Sequence, residues 1–378
     1  MRILIAPDKF KDSLSADRVA HALLRGIRNV HPDASFAVRP IADGGEGTVE
    51  AFALALGGRI REVTVRGPLD DPVLARIASL PEGRTVVEMA DASGLSSVVP
   101  TSHGALVAHS SGTGELLMAA AEGEGQVVLG IGGSASTDGG TGAARAWGWR
   151  FLDRRGEEIP LGGLALKELA HIEPPNDPST VGVVGACDVD NPLLGERGTA
   201  RIFAQQKGAD TDAVDQLEEG LTRLAAVIDA DLGVDVSTIE HGGAGGGMGA
   251  GLVAFFGGTL RPGLDVLAEA TGLADEVHRS DIVVTGEGRL DRASLGGKAP
   301  IAIARLARSK GTPCVAIAGD LQLERRELKD NGIELAAGLK QTGGEQLART
   351  DPERAIAKAI EGLLRHRQER KQGRTFRR

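Results

Sequence analysis

Val127-Val128-Leu129-Gly130-Ile131 is an apolar run that breaks at once into Gly132-Gly133-Ser134-Ala135-Ser136-Thr137-Asp138-Gly139-Gly140-Thr141-Gly142, with Ala143-Ala144-Arg145-Ala146-Trp147 beyond it. A chain with this pattern delivers a buried strand to a loop, and the loop to the start of a helix. Glycine lets backbone N–H groups approach an anion closely, and a helix N-terminus adds orphan donors and partial positive charge. The stretch therefore commits the chain to α/β architecture with a loop suited to phosphate at a strand's carboxyl end.

Both ends of the chain repeat that plan. Residues 2–6 read as a buried strand, and Ser15-Ala16-Asp17-Arg18 opens a helix with Val19, Leu23, Leu24 and Ile27 on one face. Between them Pro7-Asp8-Lys9-Phe10-Lys11-Asp12-Ser13-Leu14 carries lysines and aspartates where open α/β sheets place ligands. Residues 36–38 give the next strand, Ala42-Asp43-Gly44-Gly45-Glu46-Gly47-Thr48 its loop, and 49–56 its helix, stopped by Gly57-Gly58. From Asp281 the same grammar returns. Ile282-Val283-Val284 leads into the loop Thr285-Gly286-Glu287-Gly288-Arg289-Leu290-Asp291, followed by a helix over 300–309, strands over 313–318 and 333–336, and a closing helix over 353–364.

The middle differs. Segments 61–65, 73–79 and 85–89 alternate between Gly-Pro, Asp-Asp-Pro and Pro-Glu-Gly turns, which predicts antiparallel or mixed sheet. Further strands are expected over 149–153 and 181–187, and a helix over 212–230. The predicted fold is α/β: a Rossmann-like (flavodoxin-like), doubly wound parallel-sheet domain of residues 1–60 and 275–378, with a mixed-sheet α/β domain of residues 61–274 inserted in it. Residues 366–378 form a short basic tail that reads as disorder-prone.

Composition excludes several roles. The net charge is −9, Tyr is absent, and there are two Trp and eight Phe. Neither the charge nor the supply of stacking platforms suits nucleic-acid binding. No apolar run approaches the ~18 residues of a membrane span and no leader pattern opens the chain, so a cytoplasmic protein without membrane contact is expected. Cys187 and Cys314 sit in separate apolar runs and are expected as buried, reduced thiols.

Gly130-Ile131-Gly132-Gly133-Ser134-Ala135 also fits the dinucleotide pattern G-x-G-x-x-A, with Asp153 near the place of the ribose acid. That would make the chain an NAD(P)-dependent oxidoreductase of a small hydroxy acid, the alternative function. Against it, Gly139, Gly140 and Gly142 would fall inside the helix at about 1 kcal/mol each. The helix is therefore expected to start later, after a longer polar loop holding Asp138. No G-x-x-x-x-G-K-[ST] is present, but Leu295-Gly296-Gly297-Lys298-Ala299-Pro300 puts a lysine just before a helix, where it can reach a phosphate.

Carboxylates pair at strand ends: Asp8 with Asp12, Asp43 with Glu46, Asp188 with Asp190, Glu287 with Asp291. Singly such residues are turn formers or caps. Together they suit Mg²⁺ and phosphoryl transfer, with Lys9, Lys11, Lys207, Arg289 and Lys298 as sources of positive charge. His241-Gly242-Gly243-Ala244-Gly245-Gly246-Gly247-Met248-Gly249-Ala250-Gly251 is either a second anion nest or a flexible hinge or close-packed crossing between domains. Ser134 and Ser136 lack the G-x-S-x-G elbow of a hydrolase.

The segments Ile5-Ala6-Pro7-Asp8-Lys9-Phe10-Lys11-Asp12-Ser13-Leu14-Ser15-Ala16, Ala42-Asp43-Gly44-Gly45-Glu46-Gly47-Thr48, the 132–142 loop, Cys187-Asp188-Val189-Asp190-Asn191-Pro192-Leu193-Leu194-Gly195, Phe203-Ala204-Gln205-Gln206-Lys207-Gly208-Ala209, and Thr285-Gly286-Glu287-Gly288-Arg289-Leu290-Asp291 with Gly297-Lys298 together resemble the type I glycerate kinase family, the bacterial two-domain kind. Thr137 departs from the asparagine expected before the aspartate. The resemblance implies ATP-dependent phosphorylation of D-glycerate with Mg²⁺ in a cleft between the domains, 2-phosphoglycerate being favoured over 3-phosphoglycerate. With it go the expected roles. Gly132, Gly133, Ser134, Ser136, Asp138 and Gly139 would bind ATP, and Lys298 would hold phosphate as a catalytic residue. Asp188 and Asp190 would hold Mg²⁺ or accept the hydroxyl proton, with Glu287 as a further metal ligand. Lys9, Lys11, Asp43 and Arg289 would bind glycerate.

Overall fold

Short apolar runs bounded by glycine and proline set the strands, and the computed structural model describes residues 1–10, 13–123, 125–177, 181–341 and 345–373. In chain order the strands are β1 (Arg2–Ile5), β2 (Ser35–Val38), β3 (Arg59–Arg66), β4 (Pro72–Ser79) and β5 (Thr85–Glu88). Next come β6 (Val127–Ile131), β7 (Arg150–Leu152), β8 (His171–Glu173), β9 (Val183–Cys187) and β10 (Thr259–Pro262). The last are β11 (Ile282–Leu290), β12 (Cys314–Leu321) and β13 (Ile333–Gly338).

The chain divides into two units, one of Met1–Ala42 with Leu267–Arg378 and the other of Asp43–Val266. The first holds a five-stranded sheet in the order β13-β12-β11-β1-β2 with every neighbouring pair parallel. Renumbered within the unit this is the 2-1-3-4-5 order of flavodoxin-type sheets, which turns back between β1 and β11. Ile3, Ile5, Val284, Val315 and Ile317 form its core with Val19, Leu23 and Ile27 of the helix Ala16–Arg28 and Ile356 and Ile360 of the helix Pro352–Lys371. The second unit holds a six-stranded sheet, β10-β9-β6-β5-β4-β3. Its β5, β6, β9 and β10 run parallel, while β3, β4 and β5 pair antiparallel. β6 and β9 are buried throughout, as strands of a parallel sheet covered on both faces must be. β7 and β8 form a separate antiparallel pair. Among the described residues no helix is long and apolar enough to cross a membrane.

Several boundaries differ from those read in the sequence. The first unit gives way to the second at Ala42/Asp43 rather than at residue 60, because the helix Thr48–Leu56 packs on β4 and β5. The chain returns to the first unit at Leu267 rather than at 275. β11 continues past Val284 to Leu290, since Glu287, Arg289 and Leu290 stay paired with Ala318, Asp320 and Leu321 of β12. The closing helix reaches Lys371 and takes the start of the basic tail with it. Arg367, buried there, donates from Nη2 to Glu334 Oε2 at 2.9 Å, which anchors the helix to β13. Residues 374–378 of the tail lie outside the described residues.

The glycine-rich runs of the second unit pack on one another. Inside the helix Ala244–Phe256, Gly245, Gly246 and Gly247 carry φ of 62°, 72° and 88°. A Cβ on Gly246 would stand 1.9 Å from the Ser136 carbonyl oxygen, and Gly246 O accepts the Gly139 N–H at 3.0 Å. The run is thus a close-packed crossing inside the second unit, not the crossing between domains expected from the sequence. Gly257 ends the same helix at φ 58° with nothing within 4 Å of a built Cβ. Gly257→Ala should therefore cost only the left-handed backbone penalty of about 1–2 kcal/mol. Gly246→Ala adds a backbone collision to it and should lose at least about 3 kcal/mol, with a much lower Tm by calorimetry. Equal losses in the two variants would show that the close approach at Gly246 is not a constraint.

Candidate active site

At the carboxyl ends of β6 and β9 in the second unit, the loops 43–47, 132–140 and 188–191 come together. Gly44, at φ 99°, lies against β9, where a Cβ would stand 2.3 Å from the Ala186 carbonyl oxygen. Gly45 stands between two carboxylates: a Cβ there would be 3.4 Å from Asp43 Oδ1 and 3.7 Å from Asp188 Oδ2. A Cβ on Gly132 would be 2.7 Å from Gly45 Cα and 3.4 Å from Asp188 Oδ2. Asp43, half-buried, and Asp188, exposed, thus face each other across glycine backbone beside the first residue of the central loop. Asp190 has different surroundings. It is exposed and pairs with Arg197 at 2.9 Å.

The central loop turns inward. Ser134, Ser136, Thr137 and Asp138 are at most 5% exposed, whereas Gly133 is open to solvent. The Asp138 carboxylate accepts the Ser110 N–H and O–H at 2.9 and 2.8 Å, the Gly142 N–H at 3.1 Å and the Gly140 N–H at 3.3 Å. It thereby satisfies donors at the start of the helix Thr141–Ala146, a negative group at the positive end of a helix. The sequence places Asp138 on a ligand; the structure uses its carboxylate inside the loop. Lys207 holds the other part of the loop, donating from Nζ to Ser134 Oγ at 3.0 Å, Ser136 O at 2.5 Å and Thr137 Oγ1 at 3.4 Å. Burial pulls its ammonium down to about 7, with the Asp138 charge acting in the other direction. Ser136 Oγ has no hydrogen-bond partner among the described residues.

The helix starts at Thr141, after Gly139 and Gly140 at φ 64° and 77°, as the glycine cost requires. Asp153 accepts the N–H groups of Arg155 and Glu157 at 2.8 and 3.0 Å and closes a turn. A dinucleotide reading therefore has neither its helix nor its ribose acid in place.

The first unit gathers charged residues at the carboxyl end of its own sheet. The Asp8 N–H donates to Gly286 O at 2.9 Å and the Lys9 N–H to Asp8 Oδ1 at 2.7 Å, so the loop after β1 lies along β11. On β11 Glu287 is buried and Arg289 exposed. Asp291 caps the short turn Arg292–Gly296 reciprocally with Ser294 and serves the backbone. Lys298 occupies the N-cap position of the helix Ala299–Ser309, half-buried, with its N–H on Ser294 O at 3.2 Å. Lys11 lies outside the described residues. Among those residues no group of three or more His, Cys, Asp or Glu side chains could hold a metal ion by itself.

Sequence reading missed Glu88. Its carboxylate accepts the Gly47 N–H at 3.0 Å and the Val49 N–H at 2.6 Å, tying the loop 43–47 and the helix Thr48–Leu56 to the end of β5. A lone carboxylate in the apolar run Val86-Val87-Glu88-Met89 was the available signal. Burial, reinforced by Asp91, pushes the Glu88 carboxyl up to about 7, while the bond from Val49 and the charge of Arg76 act against the rise.

The fold and these loops define a two-unit α/β enzyme. A profile of the glycerate kinase family matches residues 3–368. The chain is 44% identical over 342 residues to the glycerate kinase of Halalkalibacterium halodurans, covering 89% of this chain and 90% of that protein. It is 43% identical over 339 residues to the glycerate 2-kinase of Escherichia coli K12, covering 88% and 89% of the two chains. A crystal structure from Salmonella typhimurium LT2, whose designation as glycerate kinase 2 is provisional, superposes with a TM-score of 0.82 at 39% identity over 98% of this chain and 99% of that one. The chain belongs to the glycerate kinase family.

The Glu88 carboxyl titrates near 4.5 in the unfolded chain and at about 7 in the folded one. With the folded value raised, its contribution to stability is full below the unfolded value and is lost as pH rises through the folded value. The stability of the wild type relative to Glu88→Gln should fall by roughly 3 kcal/mol between about pH 4 and about pH 8. Urea unfolding of both proteins across that range measures it, and a flat or rising difference would mean that Glu88 stays ionised in the fold.

Proposed function

We propose that this protein phosphorylates D-glycerate with ATP and yields 2-phosphoglycerate. What carries the reading is the junction in the second unit, where the exposed Asp188 carboxylate lies beside the Gly132 and Gly45 backbone. Family membership supports a glycerate substrate, and the name of the Escherichia coli relative supports the 2-position.

Phosphoryl transfer asks the protein for positioning and charge neutralisation rather than covalent chemistry. The backbone N–H groups of Gly132 and Gly133 would receive phosphate oxygens, Gly133 being the exposed point of the loop, while Ser134, Ser136, Asp138 and Gly139 keep its shape. Lys298 would add a point charge. Lys9, Lys11 and Arg289 would hold the glycerate carboxylate, Arg289 through its planar pair of donors, and Asp43 would accept from a glycerate hydroxyl. Asp188 would stand closest to the reaction, either accepting the attacking hydroxyl's proton or holding the metal.

Among the described residues no three potential ligands gather, so Mg²⁺ would rest on one or two carboxylates together with phosphate oxygens, as this ion commonly does. In the second of those roles Asp188 would hold it, with Asp190 as a further carboxylate of the same unit. When bound, Mg²⁺ would neutralise charge on the transferring phosphate. The buried, unpaired thiols Cys187 and Cys314, both pushed up to about 12 by burial, suit a reducing cytoplasm.

An ADP-release assay tests the reading directly. D-glycerate should support turnover with ATP and Mg²⁺, L-glycerate far less, and phosphorus NMR should place the new ester at the 2-position. No ADP release with D-glycerate would reject the assignment. Asp188→Asn should lower kcat at least about a hundredfold with the unfolding midpoint unchanged, and turnover near wild type in that variant would remove Asp188 from the reaction.

A further inference from the structure

We propose that Lys207 is a positioning residue for nucleotide binding: its buried ammonium sets the shape of the loop 132–139 that receives the phosphates. The proposal rests on the reading of that loop given above. Lys207 lies in the short turn Gln205–Lys207 and is 3% exposed, so its charge is closed off from solvent and from a ligand on the open side of the loop.

An ammonium has three hydrogens and no acceptor. Those of Lys207 meet three oxygens of one loop, on Ser134, Ser136 and Thr137. The Ser136 carbonyl is wedged from another direction by Gly246, whose built Cβ would stand 1.9 Å from that oxygen and 3.1 Å from Lys207 Nζ. Together these contacts fix the Ser136–Thr137 peptide, while the Ala135 N–H on Ser93 O and the Gly133 carbonyl on the Leu95 N–H hold the preceding part of the loop. Asp138 completes the arrangement at the other end of the loop through Ser110, Gly140 and Gly142. Its charge also favours the ammonium form of Lys207.

By donating to three buried oxygens Lys207 contributes to stability as well as to the shape of the loop. Lys207 borders a narrow, mostly apolar pocket lined also by Leu69, Leu95, Val98, Val99 and Thr101, beside which methionine can be accommodated. Burying an ammonium carries a desolvation cost that its hydrogen bonds must offset, and burial here already draws the group toward its neutral form. What the charge supplies and methionine cannot is a set of donors that orients one peptide and two hydroxyls.

The experiment uses Lys207→Met and, should that variant not fold, the near-isosteric Lys207→Gln. Isothermal titration with Mg·ATP, and steady-state KM values for ATP and D-glycerate, are measured beside Tm. The expected result is a rise of at least about tenfold in both the Kd and the KM for ATP, with the KM for D-glycerate within about twofold and a Tm lowered by the buried oxygens left without donors. A merely structural lysine would lower Tm but leave both KM values of the folded enzyme in place. ATP affinity within twofold of wild type, or both KM values rising together, overturns the proposal. Because titration reads nucleotide binding without the acceptor, a wild type that binds no Mg·ATP rejects the kinase reading itself, whereas a wild type and variants that bind equally reject only the role of Lys207.

Discussion

A loop buried as deeply as Ser136, Thr137 and Asp138 must draw its hydrogen-bond partners from the protein, and of these side chains Ser136 Oγ alone lacks one among the described residues. Two opposite charges do most of this. The Asp138 carboxylate collects backbone and hydroxyl donors at the helix start, and the Lys207 ammonium collects acceptors four, two and one residues before Asp138. Neither charge stands in solvent, and each offsets the other's field. The glycines of the helix Ala244–Phe256 then close on the loop's backbone, which leaves it one conformation. The order of the second unit around β6 and β9 follows from this packing.

The same demand explains how the site can be open at only a few points. Gly44, Gly45 and Gly132 bring backbones so close that the carboxylates of Asp43 and Asp188 stand on either side of one glycine. Glu88 secures the loop that makes this possible, and it does so as a carboxyl buried at the end of an inner strand. Buried ionisable groups are expensive to place, and Asp138, Lys207 and Glu88 all serve the backbone of the loops rather than a ligand directly. Asp188 and Arg289, by contrast, are exposed, and Lys298 is half-buried.

The residue types most legible in the sequence were those that interrupt an apolar run. The glycine and carboxylate after Ile131, after Cys187 and before Thr48 announced loops at strand ends, and the structure brings these loops together. Less legible was the direction in which each side chain points. Asp138 and Asp188 look alike as carboxylates beyond buried strands, yet one is wholly inside and the other exposed. Lys207 read as one of five candidate cations, and nothing local distinguishes an inward lysine from an outward one. Its partners are 70 and more residues away in the chain.

By itself the sequence determined the α/β alternation at both chain ends, the late start of the helix at Thr141 and the family to which the chain belongs, because local periodicity, glycine cost and long ordered motifs are properties of neighbouring residues. Tertiary structure decided the rest. It moved the loop and helix after Ala42 into the second unit, because the helix Thr48–Leu56 finds its apolar partner on β4 and β5. It also turned Asp138 and Lys207 inward, because a buried loop draws its hydrogen-bond partners from whatever the fold brings near.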